Sequence, residues 1–264
     1  MALQMDMKKM EQAKGALKFA LMKAGVPNPP KLAVGVALDV SGSYRDEHED
    51  GSTNDILTRL VPWGLVFDDN GEIDLATFSD GNAHAHFVGE SLNAKSYQGY
   101  VKRNVIGKVP GWCSGTDYSY VLDKFLVHNG WKKGAAPQAP APSGGGFFKG
   151  LLGGAKSAPA PVAASVPTVG KDALIVLQTD GDCSDKARTE ALLQEMQDKG
   201  YRVYVLFLAY ANGNPDFSFL ERMADKFSNT GLHVIRDLPA FINANNDQMN
   251  SWLINDELIT WLKK

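Results

Sequence analysis

The chain has 264 residues, 44% hydrophobic and 22% charged, with a formal net charge of −3. That is the balance of a globular protein with one large α/β domain or two small ones, and it excludes a generally nucleic-acid-binding surface. Two cysteines, Cys113 and Cys183, are too few for a disulfide framework and lack the paired spacing of a zinc site. No apolar run is long enough to span a bilayer and no uninterrupted signal-peptide core opens the chain, so a cytoplasmic location is expected.

Residues 3–24 read as a helix with Met10, Ala13, Leu17, Ala20, Leu21 and Ala24 on one face and Lys8, Lys14 and Lys18 off it. Its apolar face is expected to pack on the domain or a sister subunit; a membrane-surface role is the weaker reading. Val26-Pro27-Asn28-Pro29-Pro30 ends it, so residues 1–30 form a helix plus linker ahead of a domain over 31–264. Strand 32–38 leads through a polar loop, 44–53, into a helix over 54–66. Strand 73–78 follows, with a short partner near 85–88, then helices over 97–103 and 117–128. Strand 173–178 runs to helix 186–198, and strand 201–208 to helix 216–227. A last strand, 232–236, precedes a C-terminal helix ending at Trp261, with Trp252 and Trp261 anchoring it. Such alternation predicts a doubly wound, mostly parallel six-stranded sheet with helices on both faces. Between about 134 and 170 the composition turns to Gly, Ala, Pro and Ser, read as a disordered insertion that carries an apolar patch, Phe147-Phe148 and Leu151-Leu152.

The first strand ends in Asp39-Val40-Ser41-Gly42-Ser43. Open α/β sheets place ligands at this end of their strands. Gly42 is expected to let the turn tighten so that Ser41 and Ser43 aim their oxygens at one point beside Asp39. A carboxylate with two neutral hydroxyls suits a hard cation such as Mg²⁺. Two further sheet-end loops offer oxygens: Thr116, after Gly115, and Asp180, at the end of strand 173–178.

Taken together, Asp39-Val40-Ser41-Gly42-Ser43, Gly115-Thr116-Asp117 and Thr179-Asp180-Gly181 resemble the metal-ion-dependent adhesion site of a von Willebrand factor A domain, over roughly 31–236 apart from the insertion. The resemblance implies direct Mg²⁺ coordination, with Mn²⁺ or Ca²⁺ as alternatives, by Ser41, Ser43 and Thr116. It implies that Asp39 and Asp180 act through waters or hydrogen bonds, and that one position stays open for a partner's carboxylate. Leu60–Gly71 running into Ile73–Phe78, with Tyr97-Gln98-Gly99-Tyr100-Val101, is similar to the tellurium-resistance (TerF-like) type, which implies a part in tellurium resistance or a stress response. Tyr44 stands where that type usually has Met, a change expected to alter packing beside the loop and not coordination.

The expected function is Mg²⁺-dependent binding of a protein that presents an acidic residue, without nucleic acid or membrane span and without enzyme activity. The rival is a metal-dependent hydrolase using Asp39, for which Asp182 and Asp185 are the only spare carboxylates in the three loops. Cys113 and Cys183 are read as small buried residues, a reversible link between them being the weaker idea. His84 and His86 are read as sharing one face of a solvated edge strand, and Asp46–Asp50 as a solvated acidic loop.

Overall fold

The computed structural model describes residues 5–134, 170–211, 213 and 215–264. The insertion and its Phe147–Leu152 patch lie outside them. The chain opens with α1 (Met7–Lys23), β1 (Ala33–Asp39), α2 (Arg45–Glu49), α3 (Ser52–Phe67), β2 (Asp74–Phe78), β3 (His86–Phe87), α4 (Tyr100–Asn104) and α5 (Ser119–His128). It continues with β4 (Ala173–Thr179), α6 (Lys186–Asp198), β5 (Val203–Tyr210), α7 (Ser218–Lys226), β6 (Thr230–Ile235), α8 (Leu238–Asn243), α9 (Asn246–Leu253) and α10 (Asp256–Leu262).

The six strands form one sheet in the order β3-β2-β1-β4-β5-β6, parallel except for β3, which runs antiparallel to β2. This is the doubly wound arrangement that the strand–helix alternation predicts. Strand alternation divides the core in two. Val34, Val36, Leu38, Leu174, Val176, Leu206 and Leu208 face the layer that contains α1, α3, α9 and α10. Ala33, Ala37, Ile175, Leu177, Val205 and Phe207 face α5, α6 and α7. A buried strand has no polar side, which is why β1 and β4 are buried at every position.

The N-terminal helix is part of this domain. Asp6 caps it by accepting from Lys9 N at 2.8 Å, and Met10, Ala13, Leu17 and Leu21 are buried against α3 and α9. Each large side chain buried there stabilises the contact by roughly 1.5–3 kcal/mol. The single C-terminal helix of the sequence reading is two. Asn255 interrupts it and caps α10 by accepting from Leu258 N at 2.8 Å, while Asn245 and Gln248 close a capping box on α9. Trp261 is buried beneath the Arg202 guanidinium, 4.4 Å from its ring, and Trp252 stacks on His233 and Phe241.

Two other expectations change. The stretch after Ser43 is not a solvated loop. Gly42–Tyr44 form a 3-10 turn that runs into α2, and Tyr44, Glu47 and His48 are buried on its inner face. The exposed residues of the acidic run, Asp46, Glu49 and Asp50, are only its outer side. His84 and His86 do not share a strand face, because His84 lies in a separate 3-10 turn with its Nδ1 3.0 Å from Asp80 Oδ1. Among the described residues, no helix is long and apolar enough to cross a membrane.

Candidate metal site at the sheet switch point

In the order 3-2-1-4-5-6 the chain passes from β1 to β2 on one side and, after β3, crosses to β4 on the other. The C-terminal ends of β1 and β4 therefore flank a crevice in which no connection crosses. Asp39 closes β1 and Thr179 closes β4.

Asp39 is fully buried. Its Oδ1 accepts from Ser41 N at 2.8 Å and its Oδ2 from the Thr179 hydroxyl at 2.6 Å, so both oxygens are held in place. The Ser43 hydroxyl donates to Asp180 Oδ1 at 3.1 Å, and the Ser41 and Ser43 oxygens lie 3.2 Å apart. With the Ser43 proton committed to Asp180, Ser41 donates to Ser43. Four of the five residues expected from sequence thus join in one hydrogen-bonded group across two strand ends.

Thr116 sits on the same rim. Its loop is tied to the first by Cys113 N to Val40 O at 2.8 Å and Gly42 N to Ser114 O at 3.0 Å. Ser184 N to Thr116 O at 2.9 Å ties it to the third. The Thr116 hydroxyl makes no hydrogen bond to the other four among the described residues. Gly42 is not left-handed; it serves the tight turn by close approach, since a Cβ there would stand 3.3 Å from Cys113 O. In the facing loop Gly111, at φ 72°, and Cys113, at φ 63°, are left-handed, and Cys113 is the one non-glycine residue in that region among the described residues.

Sequence reasoning passed over three positions. Thr179, quoted in the Thr179-Asp180-Gly181 triplet without a role of its own, fixes the Asp39 carboxylate. His48, buried, has its Nε2 2.8 Å from Asp39 O; a carbonyl only accepts, so Nε2 carries the proton. Burial pushes the His48 pKa down to about 4, which keeps the ring neutral. Tyr118 supports Thr179 from below, its hydroxyl 3.2 Å from Thr179 Oγ1 and donating to Gly181 O. Tyr44, the departure from the family pattern, packs 5.0 Å from His48 and accepts from Gln178 Nε2 at 2.7 Å.

The spare carboxylates are used elsewhere. Asp185 caps α5 by accepting from Tyr118 N and Ser119 N, each at 3.0 Å, and Asp182 pairs with Lys186. Asp39, buried and doubly hydrogen-bonded, is a poor nucleophile. Cys183 is buried in the α5–α6 core, where desolvation pushes its thiol pKa well up, and Cys113 is half-buried; both are free.

The electrostatics fit a cation. Burial, and then the nearby Asp180 charge, push the Asp39 pKa from its ordinary 3.8 up to about 7, and burial likewise raises that of Asp180. Neither carboxylate has a Lys or Arg within ion-pair distance among the described residues. A raised folded-state pKa means that stability is fully present below pH 3.8 and is lost as pH rises through about 7. In chelator, wild type is therefore expected to lose stability relative to Asp39→Asn between about pH 4 and 7, measured by urea denaturation; parallel pH profiles would contradict this charge assignment. No three His, Cys, Asp or Glu side chains gather at metal-ligand spacing among the described residues. A cation here would rest largely on hydroxyl oxygen, the donor chemistry of Mg²⁺ rather than of soft metals.

No family model matches the sequence. It is 30% identical over 73 residues to the uncharacterized protein YcbR of Bacillus subtilis (strain 168), a stretch covering 28% of this chain and 28% of that protein. Among solved structures it resembles proximal thread matrix protein 1 of the mussel byssus with a zinc-occupied MIDAS motif: TM-score 0.50, 13% identity, 85% of this chain and 47% of that one. A von Willebrand factor type A protein from Catenulispora acidiphila gives 0.48 at 14% identity, over 87% of this chain and 43% of that one. The manganese-loaded TRAP protein of Plasmodium vivax gives 0.43 at 13%, over 86% and 73%. The chain spans less than half the length of the first two of these structures. At such identity the likeness speaks to fold alone, and this chain shares with the mussel protein the six-stranded, mostly parallel α/β fold expected from its sequence.

Proposed function

We propose that this chain is a divalent-cation-dependent protein-binding module. Ser41, Ser43 and Thr116 would hold Mg²⁺, with Mn²⁺ and Ca²⁺ as alternative ions. Asp39 and Asp180 would orient the hydroxyls and balance the charge. The observation that supports this most is the hydrogen-bonded group at the switch point: the buried Asp39 carboxylate accepts from Ser41 N and the Thr179 hydroxyl, the buried Asp180 carboxylate accepts from the Ser43 hydroxyl, and no basic side chain among the described residues pairs with either. The zinc in the MIDAS motif of the mussel protein, on a shared fold, agrees with this reading.

When bound, the ion supplies an open position and an undiminished positive charge, because its protein ligands are mostly neutral. An acidic side chain of a partner protein is the natural group to fill it. Ser43 is exposed while Asp39 and Ser41 are buried, so the partner approaches from the Ser43 side. The likeness at Leu60–Gly71 and Tyr97–Val101 supports placing the module in the tellurium-resistance type, acting in the cytoplasm in tellurium resistance or a stress response. The hydrolase reading gains nothing from the geometry, since Asp182 and Asp185 are committed to Lys186 and to the α5 cap.

Affinity capture from a lysate of the source cells tests the reading, with wild type and Ser41→Ala/Ser43→Ala compared in Mg²⁺ and in chelator. Proteins retained only by wild type with Mg²⁺ are the expected result. Identical retention in all four arms, together with no heat on titrating Mg²⁺ into the protein, would overturn it.

A further inference from the structure

The exposed large hydrophobic side chains among the described residues are Met7, Phe19 and Met22, 63%, 49% and 49% exposed, and all three lie on α1. The inner face of that helix is fully used, with Met10, Ala13, Leu17 and Leu21 packed on α3 and α9. At 100° per residue, Phe19 falls nearly opposite this buried stripe and Met22 about 135° from its centre. They are therefore not the edge of a core contact. Gly15 lies beside them with open space where its Cβ would be, so the outer face is smooth.

The charge on the same helix is equally one-sided. Met7–Lys23 carries five lysines and one glutamate, in a chain whose net charge is −3. The glutamate, Glu11, is matched by Lys14 at 3.3 Å. Lys8, Lys9, Lys18 and Lys23 are exposed, and none has a carboxylate within ion-pair distance among the described residues. Lys18 and Lys23 flank Phe19 on both sides, and Lys23 Nζ stands 4.4 Å from its ring centroid. Just past the helix, Lys263 reaches Gly25 and adds a further positive charge.

We propose that the outer face of α1 binds an anionic lipid bilayer peripherally, with Phe19 and Met22 entering the headgroup region and the lysines on lipid phosphates. Lysines around a few protruding apolar side chains on a docked helix match an interface that is acidic at its surface and apolar just beneath. A folded protein partner would need a shaped recess. The cleft beside Phe19, about 450 Å³ between α1 and α9, has a mixed wall, with Ala20, Ala24 and Ile254 as well as Asp247, Asn250 and Ser251, so it is the lysines and not the cleft that decide the occupant. Charge complementarity thus selects the bilayer, and the inference does not depend on the metal site.

Co-sedimentation of the full chain with two kinds of vesicle tests it: phosphatidylcholine alone, and phosphatidylcholine with one quarter phosphatidylglycerol. Binding is expected with the anionic vesicles, weakening as salt rises. Lys8→Gln/Lys18→Gln/Lys23→Gln should reduce it about a hundredfold, at about fivefold per lysine. Phe19→Ser/Met22→Ser should reduce it about tenfold or more with unchanged thermal stability, since both side chains are exposed. Phe19→Trp provides a positive signal, an emission shift to the blue with anionic vesicles only. Equal sedimentation with both vesicles, or no emission shift, would overturn the proposal. So would a dimer in sedimentation equilibrium that Phe19→Ser/Met22→Ser dissolves, or tighter binding to polyglutamate than to vesicles; these would assign the face to a second copy or to an acidic protein.

Discussion

Saturating Mg²⁺ is expected to raise the unfolding free energy of wild type by about 2.7 kcal/mol at a hundred times the dissociation constant, and that of Ser41→Ala/Ser43→Ala not at all. The double variant removes the hydroxyl chain that ends on Asp180 Oδ1, and with it the donor set. Ser43 is exposed, and Ser41, though buried, holds Asp39 through its backbone N–H, which alanine keeps, so in chelator the variant should stay within about 1 kcal/mol of wild type, separating lost binding from lost folding. Thr179→Val refines the result. It keeps the side-chain shape and deletes the 2.6 Å hydrogen bond to Asp39 Oδ2. A group that orients a ligand without touching the ion is worth roughly 10–100-fold in affinity, and that is the weakening expected from calorimetric titration. Unchanged Mg²⁺ stabilisation in both variants would remove the site from this crevice.

The second large effect is one of packing. A Cβ on Gly35, in the middle of β1, would stand 2.4 Å from Phe125 Cε1 and 2.9 Å from Ile175 Cδ1. Gly35→Ala is therefore an overpacking change beneath α5, costing about 1–3 kcal/mol. For a domain of this size that lowers the melting temperature by roughly 2–12 °C. Phe125 also meets Phe87 edge-on at 4.9 Å, so Phe125→Leu costs stability on its own. It nevertheless withdraws the ring atoms that collide with residue 35. The double variant should be less destabilised than the sum of the singles, by about 1 kcal/mol in a thermal or urea melt. Strict additivity would show that Ile175, not Phe125, sets the limit.

The fold was legible because buried parallel strands and amphipathic helices write different periods into the chain. Strands 32–38 and 173–178 and helix 186–198 were placed within a residue of β1, β4 and α6. What escaped were elements too short to show a period. In α2, five residues long, charges mask an inner face, although Tyr44, Glu47 and His48 stand at the i, i+3, i+4 spacing of one helix side. The break before α10 had a signal that was not used, an Asn at 255 followed by two acidic residues. In the site itself, Asp39, Ser41, Ser43 and Asp180 stood out because carboxylates and hydroxyls at strand ends are chemically conspicuous. Thr179 did not. A threonine closing a buried strand reads as β-branched filler, and only the strand register, with Leu38 opposite Gln178, shows that it reaches Asp39.

The ends of the described chain on either side of residues 135–169 are clamped to each other. The Trp131 indole donates to Lys171 O at 2.8 Å, Lys171 N donates to Asn129 O at 2.8 Å, and a Cβ on Gly130 would stand 3.8 Å from the Gly170 Cα. This clamp sits where β4 begins, the opposite rim of the sheet from Asp39 and Thr179. It makes the junction a natural splice point. A fluorescent protein or an immobilisation tag grafted between residues 134 and 170 inherits two anchored ends and leaves the crevice facing solvent.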